Sequence, residues 1–142
     1  SEMCIRDSVS ADQRILGSAI ELRSAIDNLL VNALKYSEGP VTLSWAETVV
    51  GPALAVEDTG PGIESKHIPR LTERFYRVDK SRSQATGGTG LGLALVKLVA
   101  VSHEAKLFVV SELGKGSCFR LVFPNHRVSM PSDGAQAPSM TI

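Results

Sequence analysis

Val56-Glu57-Asp58-Thr59-Gly60-Pro61-Gly62-Ile63 ends an apolar run and opens a glycine turn. Ala53-Leu54-Ala55-Val56 leads into it and reads as a short buried strand. Asp58 stands where that strand stops, and binding groups are often carried on the loops that leave a sheet. The two glycines let the chain turn sharply and come close to a ligand. A carboxylate only accepts hydrogen bonds. If buried it needs a donor, and an exocyclic amine such as that of adenine would serve. Taken alone, an Asp-x-Gly-x-Gly segment is also simply a turn.

Upstream, the pattern predicts a helix over 19–36. Ser18 is a good cap, and Glu21 stands three residues on, as a capping box requires. Leu22, Ile26, Leu29, Leu30 and Ala33 recur at helical spacing and form the buried face. Asn28, Asn32, Lys35 and Tyr36 share another face. An Asn oxygen can ligate Mg²⁺, a hard cation that keeps waters and phosphates beside it. Lys35 can offset phosphate charge, and Tyr36 offers a ring and a hydroxyl. Two asparagines also fit a merely solvated face. Glu38-Gly39-Pro40 ends the helix. Residues 41–47 and 54–57 then read as an antiparallel hairpin leading into Asp58. Residues 9–17 are expected to hold a short edge strand.

Downstream, Lys66 to Phe75 reads as a small helical piece, with Ile68, Leu71 and Phe75 on one side and Pro69 near its start. Residues 76–88 form a polar, glycine-containing loop of the length expected of a lid. Arg77, Lys80 and Arg82 in it suit phosphate oxygens, or a solvated basic loop. Gly87-Gly88-Thr89-Gly90-Leu91-Gly92 then feeds a second helix, whose free N–H groups favour an anion. This run matches neither the Rossmann spacing nor a P-loop. Residues 106–111 and 117–123 read as a second hairpin, closed by Pro124. His103-Glu104, at the end of the second helix, reads as structural.

The 142 residues suffice for one domain with a real core. Hydrophobic content of 43% and charged content of 21% are ordinary for a globular chain. A net charge of zero gives no sign of a nucleic-acid surface. No stretch has the length and apolarity of a membrane span. Cys4 and Cys118 form no metal-ligand pattern and suit a reducing compartment. Residues 1–8 are set aside as an extraneous or linker segment, 9–124 form the domain, and 125–142 are expected to be a disordered tail.

The order of these pieces resembles the GHKL ATP-binding fold, and more closely the catalytic ATP-binding domain of bacterial sensor histidine kinases. Asn28 to Tyr36 resembles their N box, Asp58 to Ile63 their first glycine box, Arg74-Phe75-Tyr76-Arg77 their F box and Gly88 to Leu93 their second glycine box. Gly116-Ser117-Cys118-Phe119 is similar to their closing strand, and Leu71 to Lys80 looks most like the phosphate-regulon branch. The resemblance covers about residues 9–124.

It implies an α/β two-layer sandwich: a mixed, mostly antiparallel sheet with about three helices on one face (the Bergerat fold). It implies ATP and Mg²⁺ as ligands, with Asp58 on the adenine amine and Asn32 on the metal. Asn28, Lys35 and Arg77 would carry catalytic roles, with Tyr36 and Tyr76 beside them. Gly60, Gly62 and Ile63 would shape the base pocket, and Thr89, Gly90, Leu91 and Gly92 the phosphate site. The γ-phosphoryl would pass to a His on the kinase's own dimerisation domain, which this chain lacks, and then to a response regulator. The intact protein would be a homodimer anchored in the inner membrane, with this portion cytoplasmic and touching neither membrane nor nucleic acid. Two rivals remain. Other GHKL ATPases place a carboxylate one turn before the Mg²⁺ Asn, where this chain has Asn28. A non-catalytic binding module would not require the intact glycines, Asp58 and Asn32.

Overall fold

The structure is a computed structural model that describes residues 14–78 and 91–129. Four strands form one sheet in the order β2-β3-β5-β4, with β2 Thr42–Glu47, β3 Pro52–Asp58, β4 Lys106–Glu112 and β5 Gly116–Val122. Each neighbouring pair is antiparallel. The expected two-layer α/β sandwich is therefore present, and among the described strands no parallel pair makes the sheet mixed. Both predicted hairpins are found. β3 lies between two partners, which is why all seven of its residues are buried.

Helix α1 spans Ala19–Tyr36, as its periodicity predicts. Its buried residues are Leu22, Ala25, Leu29 and Ala33, while Ile26 and Leu30 pack at the core's margin. Burying one such leucine contributes about 1.5–3 kcal/mol. Helix α2 spans Gly92–Ser102. It runs antiparallel to α1: Gly92 lies against Asn28, whereas Ser102 donates to the Glu21 carboxylate at 3.2 Å. Both helices share one core with Leu54, Val56, Phe119 and Leu121 of the sheet.

Only half of the expected capping box forms. The Ser18 hydroxyl accepts the Glu21 N–H at 3.2 Å. The Ser18 N–H does not go to Glu21; it donates to His103 Nε2 at 3.0 Å. The Glu21 carboxylate turns instead to Ser102.

Three further expectations change. The helical piece is a 3₁₀ turn, Ser65–Arg70, shorter than Lys66 to Phe75. Pro69 lies inside it and offers no N–H for an α-type bond. Leu71 still reaches the core, but Phe75 does not: it adopts φ 67° and is 61% exposed. Residues 125–129, assigned to the tail, are structured. A 3₁₀ turn, Asn125–Arg127, leads into β6, Val128–Ser129, which pairs antiparallel with β1, Arg14–Ile15. Arg127 explains this. Its carbonyl accepts from Leu16 N at 2.7 Å and its Nη1 donates to Leu16 O at 2.9 Å. Cys4, the other half of the cysteine reading, lies outside the described residues, and Cys118 is buried in β5.

Candidate functional site

Asp58 ends β3 and is 4% exposed. Its Oδ1 accepts the Gly60 N–H at 2.9 Å, and the Ser117 N–H also supports the carboxylate. Burial nevertheless raises its pKa above the ordinary value; these two N–H groups oppose the shift, and neighbouring Glu57 adds to it. The turn that follows is held by close backbone approach. A Cβ on Gly60 would overlap the Tyr36 carbonyl oxygen, and one on Gly62 would overlap that of Glu112. Gly62 also sits at φ 82°, where other residues are strained. The glycine turn is thus wedged between the end of α1 and the β4–β5 hairpin.

Ser37, the residue after α1, completes the join. Its Oγ accepts the Thr59 N–H at 3.2 Å and donates to Gly39 O at 2.7 Å. Asn28 commits its amide nitrogen to Ser24 O at 2.8 Å. Its Oδ1 remains as an acceptor facing α2, only 2.9 Å from where a Gly92 Cβ would stand. Leu91 caps α2 without a side-chain hydrogen bond, so the amides of the first turn are not met by a capping side chain. Asn32 is half-buried and Lys35 exposed on the same side of α1, and Tyr36 is 42% exposed at its end.

The structure brings Tyr36, Asp58, Gly60, Gly62 and Ile63 together where the end of α1, the β3 turn and the β4–β5 hairpin meet, while Asn28 and Gly92 face one another farther back along α1. Asn32 and Lys35 continue that side of α1, and Leu91 stands at the head of α2. Tyr76 is placed differently. Its hydroxyl is bonded to His67 Nδ1, and Arg70 lies over its ring at 4.4 Å from the centroid. Arg77 is half-buried next to it. Thr89 and Gly90, with positions 79–88 of the expected lid, lie outside the described residues. Ser37, Ser111 and Ser117 were not anticipated from sequence. Each works through a partner distant in the chain, and no local pattern marks it.

Among the described residues no cluster of three or more His, Cys, Asp or Glu side chains suits a metal. No described helix is long and apolar enough to cross a membrane.

Residues 17–127 match the family model for histidine kinase-, DNA gyrase B- and HSP90-like ATPases. The chain is 52% identical over 118 residues to the phosphate regulon sensor protein PhoR of Pseudomonas aeruginosa, covering 82% of this chain and 27% of that protein. It is 42% identical over 128 residues to the sensor-like histidine kinase SenX3 of Mycolicibacterium smegmatis, covering 89% of this chain and 33% of that one. The chain thus spans about a quarter to a third of these relatives. Among solved structures it resembles the mycobacterial sensor histidine kinase MprB, with TM-score 0.67, 32% identity, and coverage of 78% of this chain and 74% of that one. It also resembles full-length ShkA in complex with AMPPNP, with TM-score 0.68, 31% identity, and coverage of 83% and 24%. By its sequence match and its fold together, the chain belongs to the histidine kinase-, DNA gyrase B- and HSP90-like ATPase family.

Proposed function

We propose that this chain binds ATP at the junction around Asp58 and serves as the catalytic domain of a sensor histidine kinase. The observation that carries the proposal is the buried Asp58 carboxylate, held by Gly60 and Ser117 at a turn pressed against the end of α1. A buried acceptor in such a place suits a donor on a flat ring, and the adenine amine is that donor. Gly60, Gly62 and Ile63 wall the base. The α2 N-terminus, with Leu91 and Gly92, takes phosphate oxygens through backbone N–H groups. Lys35 and Arg77 lower the charge of the triphosphate.

The residues present fit Mg²⁺. The donor set is amide oxygen, with no carboxylate cluster among the described residues, which suits a cation that keeps its waters and binds beside phosphates. Asn32 would hold it, and the ion would supply charge neutralisation between phosphate oxygens. Phosphoryl transfer asks the protein mainly for positioning and electrostatics. Asn28, through the Oδ1 that faces α2, and Lys35 line the path from base to phosphates. The acceptor is a His on a dimerisation domain, and a response regulator Asp receives the phosphoryl next. The likeness to PhoR supports a phosphate-responsive kinase, anchored in the inner membrane with this domain in the cytoplasm.

Calorimetric titration with a non-hydrolysable ATP analogue and Mg²⁺ tests the first step. Saturable one-to-one binding that collapses in Asp58→Asn is expected. Transfer of labelled γ-phosphate to a supplied dimerisation domain tests the second; binding without any transfer would leave a nucleotide-binding module and refute the kinase reading.

A further inference from the structure

Ser111 lies in β4, just before the hairpin that returns at Gly116. Its hydroxyl accepts the Ile63 N–H at 2.7 Å across 48 residues of chain. It donates to Gly116 O at 3.0 Å and stands 2.8 Å from Ser117 Oγ. A hydroxyl has one proton and two acceptor positions. With its proton on Gly116 O, Ser111 accepts from both Ile63 and the Ser117 hydroxyl, and every position is used. Ile63 closes the glycine turn on one side of Asp58. Ser117 is the direct strand partner of Asp58 on the other, and its N–H supports that carboxylate. One side chain therefore ties the two walls that flank Asp58. The contact around it is tight. Gly114 N donates to Pro61 O at 2.9 Å, and the Glu112 carbonyl leaves no room for a Cβ on Gly62.

We infer that Ser111 is a positioning residue that sets the base selectivity of the Asp58 pocket. The inference rests on the reading of that pocket as a nucleotide-base site. Selectivity follows from position. Adenine presents an amine to Asp58, whereas guanine presents a carbonyl oxygen at the same ring carbon, and a carboxylate cannot donate to it. A site built to hydrogen-bond one group rejects the analogue lacking it, provided that the base is held against the group. Without the Ser111 hydroxyl, the Ile63 N–H and Gly116 carbonyl lose their common partner and the turn can move away from Asp58. Adenine then loses more than guanine.

The test titrates the whole chain with the imido analogues of ATP and GTP, each with Mg²⁺, for the unmutated protein, Ser111→Ala and Ser111→Thr. Ser111→Ala should weaken the ATP analogue by about tenfold and reduce the ATP-to-GTP preference by a similar factor. Ser111→Thr keeps the hydroxyl on a residue that suits a strand and should restore most of that preference. A general loss of stability would weaken both nucleotides together and leave their ratio unmoved, which overturns the inference. So does a threonine variant that has lost the preference as fully as the alanine variant. If Ser111→Ala does not fold, Ser111→Cys replaces it. Its weak donor and acceptor should give a partial loss of preference, and an unchanged ratio overturns the inference. Failure of the unmutated chain to bind either nucleotide refutes the pocket reading itself. Binding with a preference that Ser111 does not influence refutes only the role given to Ser111.

Discussion

The Ser18 backbone N–H donates to His103 Nε2 at 3.0 Å, joining the N-cap of α1 to the C-cap of α2 across 85 positions. The opposite ring nitrogen, Nδ1, lies 2.8 Å from Val99 O. Because Nε2 accepts, Nδ1 carries the proton, and the buried ring is neutral in this arrangement. Gly17 lies flat against the same ring, with no room for a Cβ.

Replacing this ring removes an acceptor and a donor from a buried place. His103→Ala should destabilise the fold by about 2–4 kcal/mol, through the lost bonds and the cavity together. Urea unfolding measures it. A nitrogen-15 spectrum of the unmutated chain should show the Nδ1–H tautomer, and the Nε2–H tautomer would contradict the hydrogen bond from Ser18.

Asp58→Asn should separate stability from binding. The folded-state pKa of Asp58 is raised by burial, so the native state binds its proton more tightly than the unfolded chain. Its contribution to stability therefore falls as pH rises from the unfolded value of 3.8 through the higher folded one. At neutral pH the charged form is a cost that Asn does not carry. The variant's melting temperature should equal or exceed that of the parent, while affinity for the ATP analogue falls at least tenfold. For the parent, affinity should fall on acidification at a higher pH than an ordinary carboxylate would give. Binding that holds steady through the acid range would contradict the adenine role of Asp58.

Gly60→Ala and Gly114→Ala form a matched pair. The first puts a methyl group into the Tyr36 carbonyl, so the turn must move. The second meets nothing within 4 Å, although Gly114 sits at φ 82°. Gly114→Ala should cost about 1 kcal/mol of backbone strain and little binding. Gly60→Ala should cost more and abolish nucleotide binding. Thermal melts with a binding titration decide it; equal effects would mean that the α1–turn contact has no special weight.

Glu104 gathers the chain's later segment onto the end of α2. Its Oε1 accepts from His126 Nε2 at 2.8 Å and Arg127 Nε at 3.0 Å. The hydrogen bonds from His126 and then Arg127 lower its pKa. A lowered carboxylate contributes stability above its unfolded value of 4.5 and loses it as pH falls through the folded one. Glu104→Gln should lower the melting temperature slightly at neutral pH, and the difference should vanish in acid and shrink with salt. A gap that is independent of pH would contradict the role given to the Glu104 charge.

Much of this protein was legible locally. Helix α1 was readable to its ends because Ser18, the apolar period and the Gly39-Pro40 break all act within a few residues of where they stand. The two hairpins, the Asp58 turn and the glycine-led start of α2 were legible for the same reason. What escaped was the choice of partner. A capping box names Glu21 as the acceptor for the Ser18 N–H, but His103 arrives from the other helix and takes it. Helical spacing sends Phe75 to the core, but the 3₁₀ turn ends first and rotates it out. Composition makes 125–129 a tail, yet Arg127 finds Leu16 and Glu104. Nothing near Ser111 in the chain announces Ile63. The sequence by itself determined the elements and the chemistry of the site's residues, since backbone preference and side-chain type are short-range properties. Only the tertiary structure decided which donor meets which acceptor, because that depends on the distances left between distant segments once the core has closed.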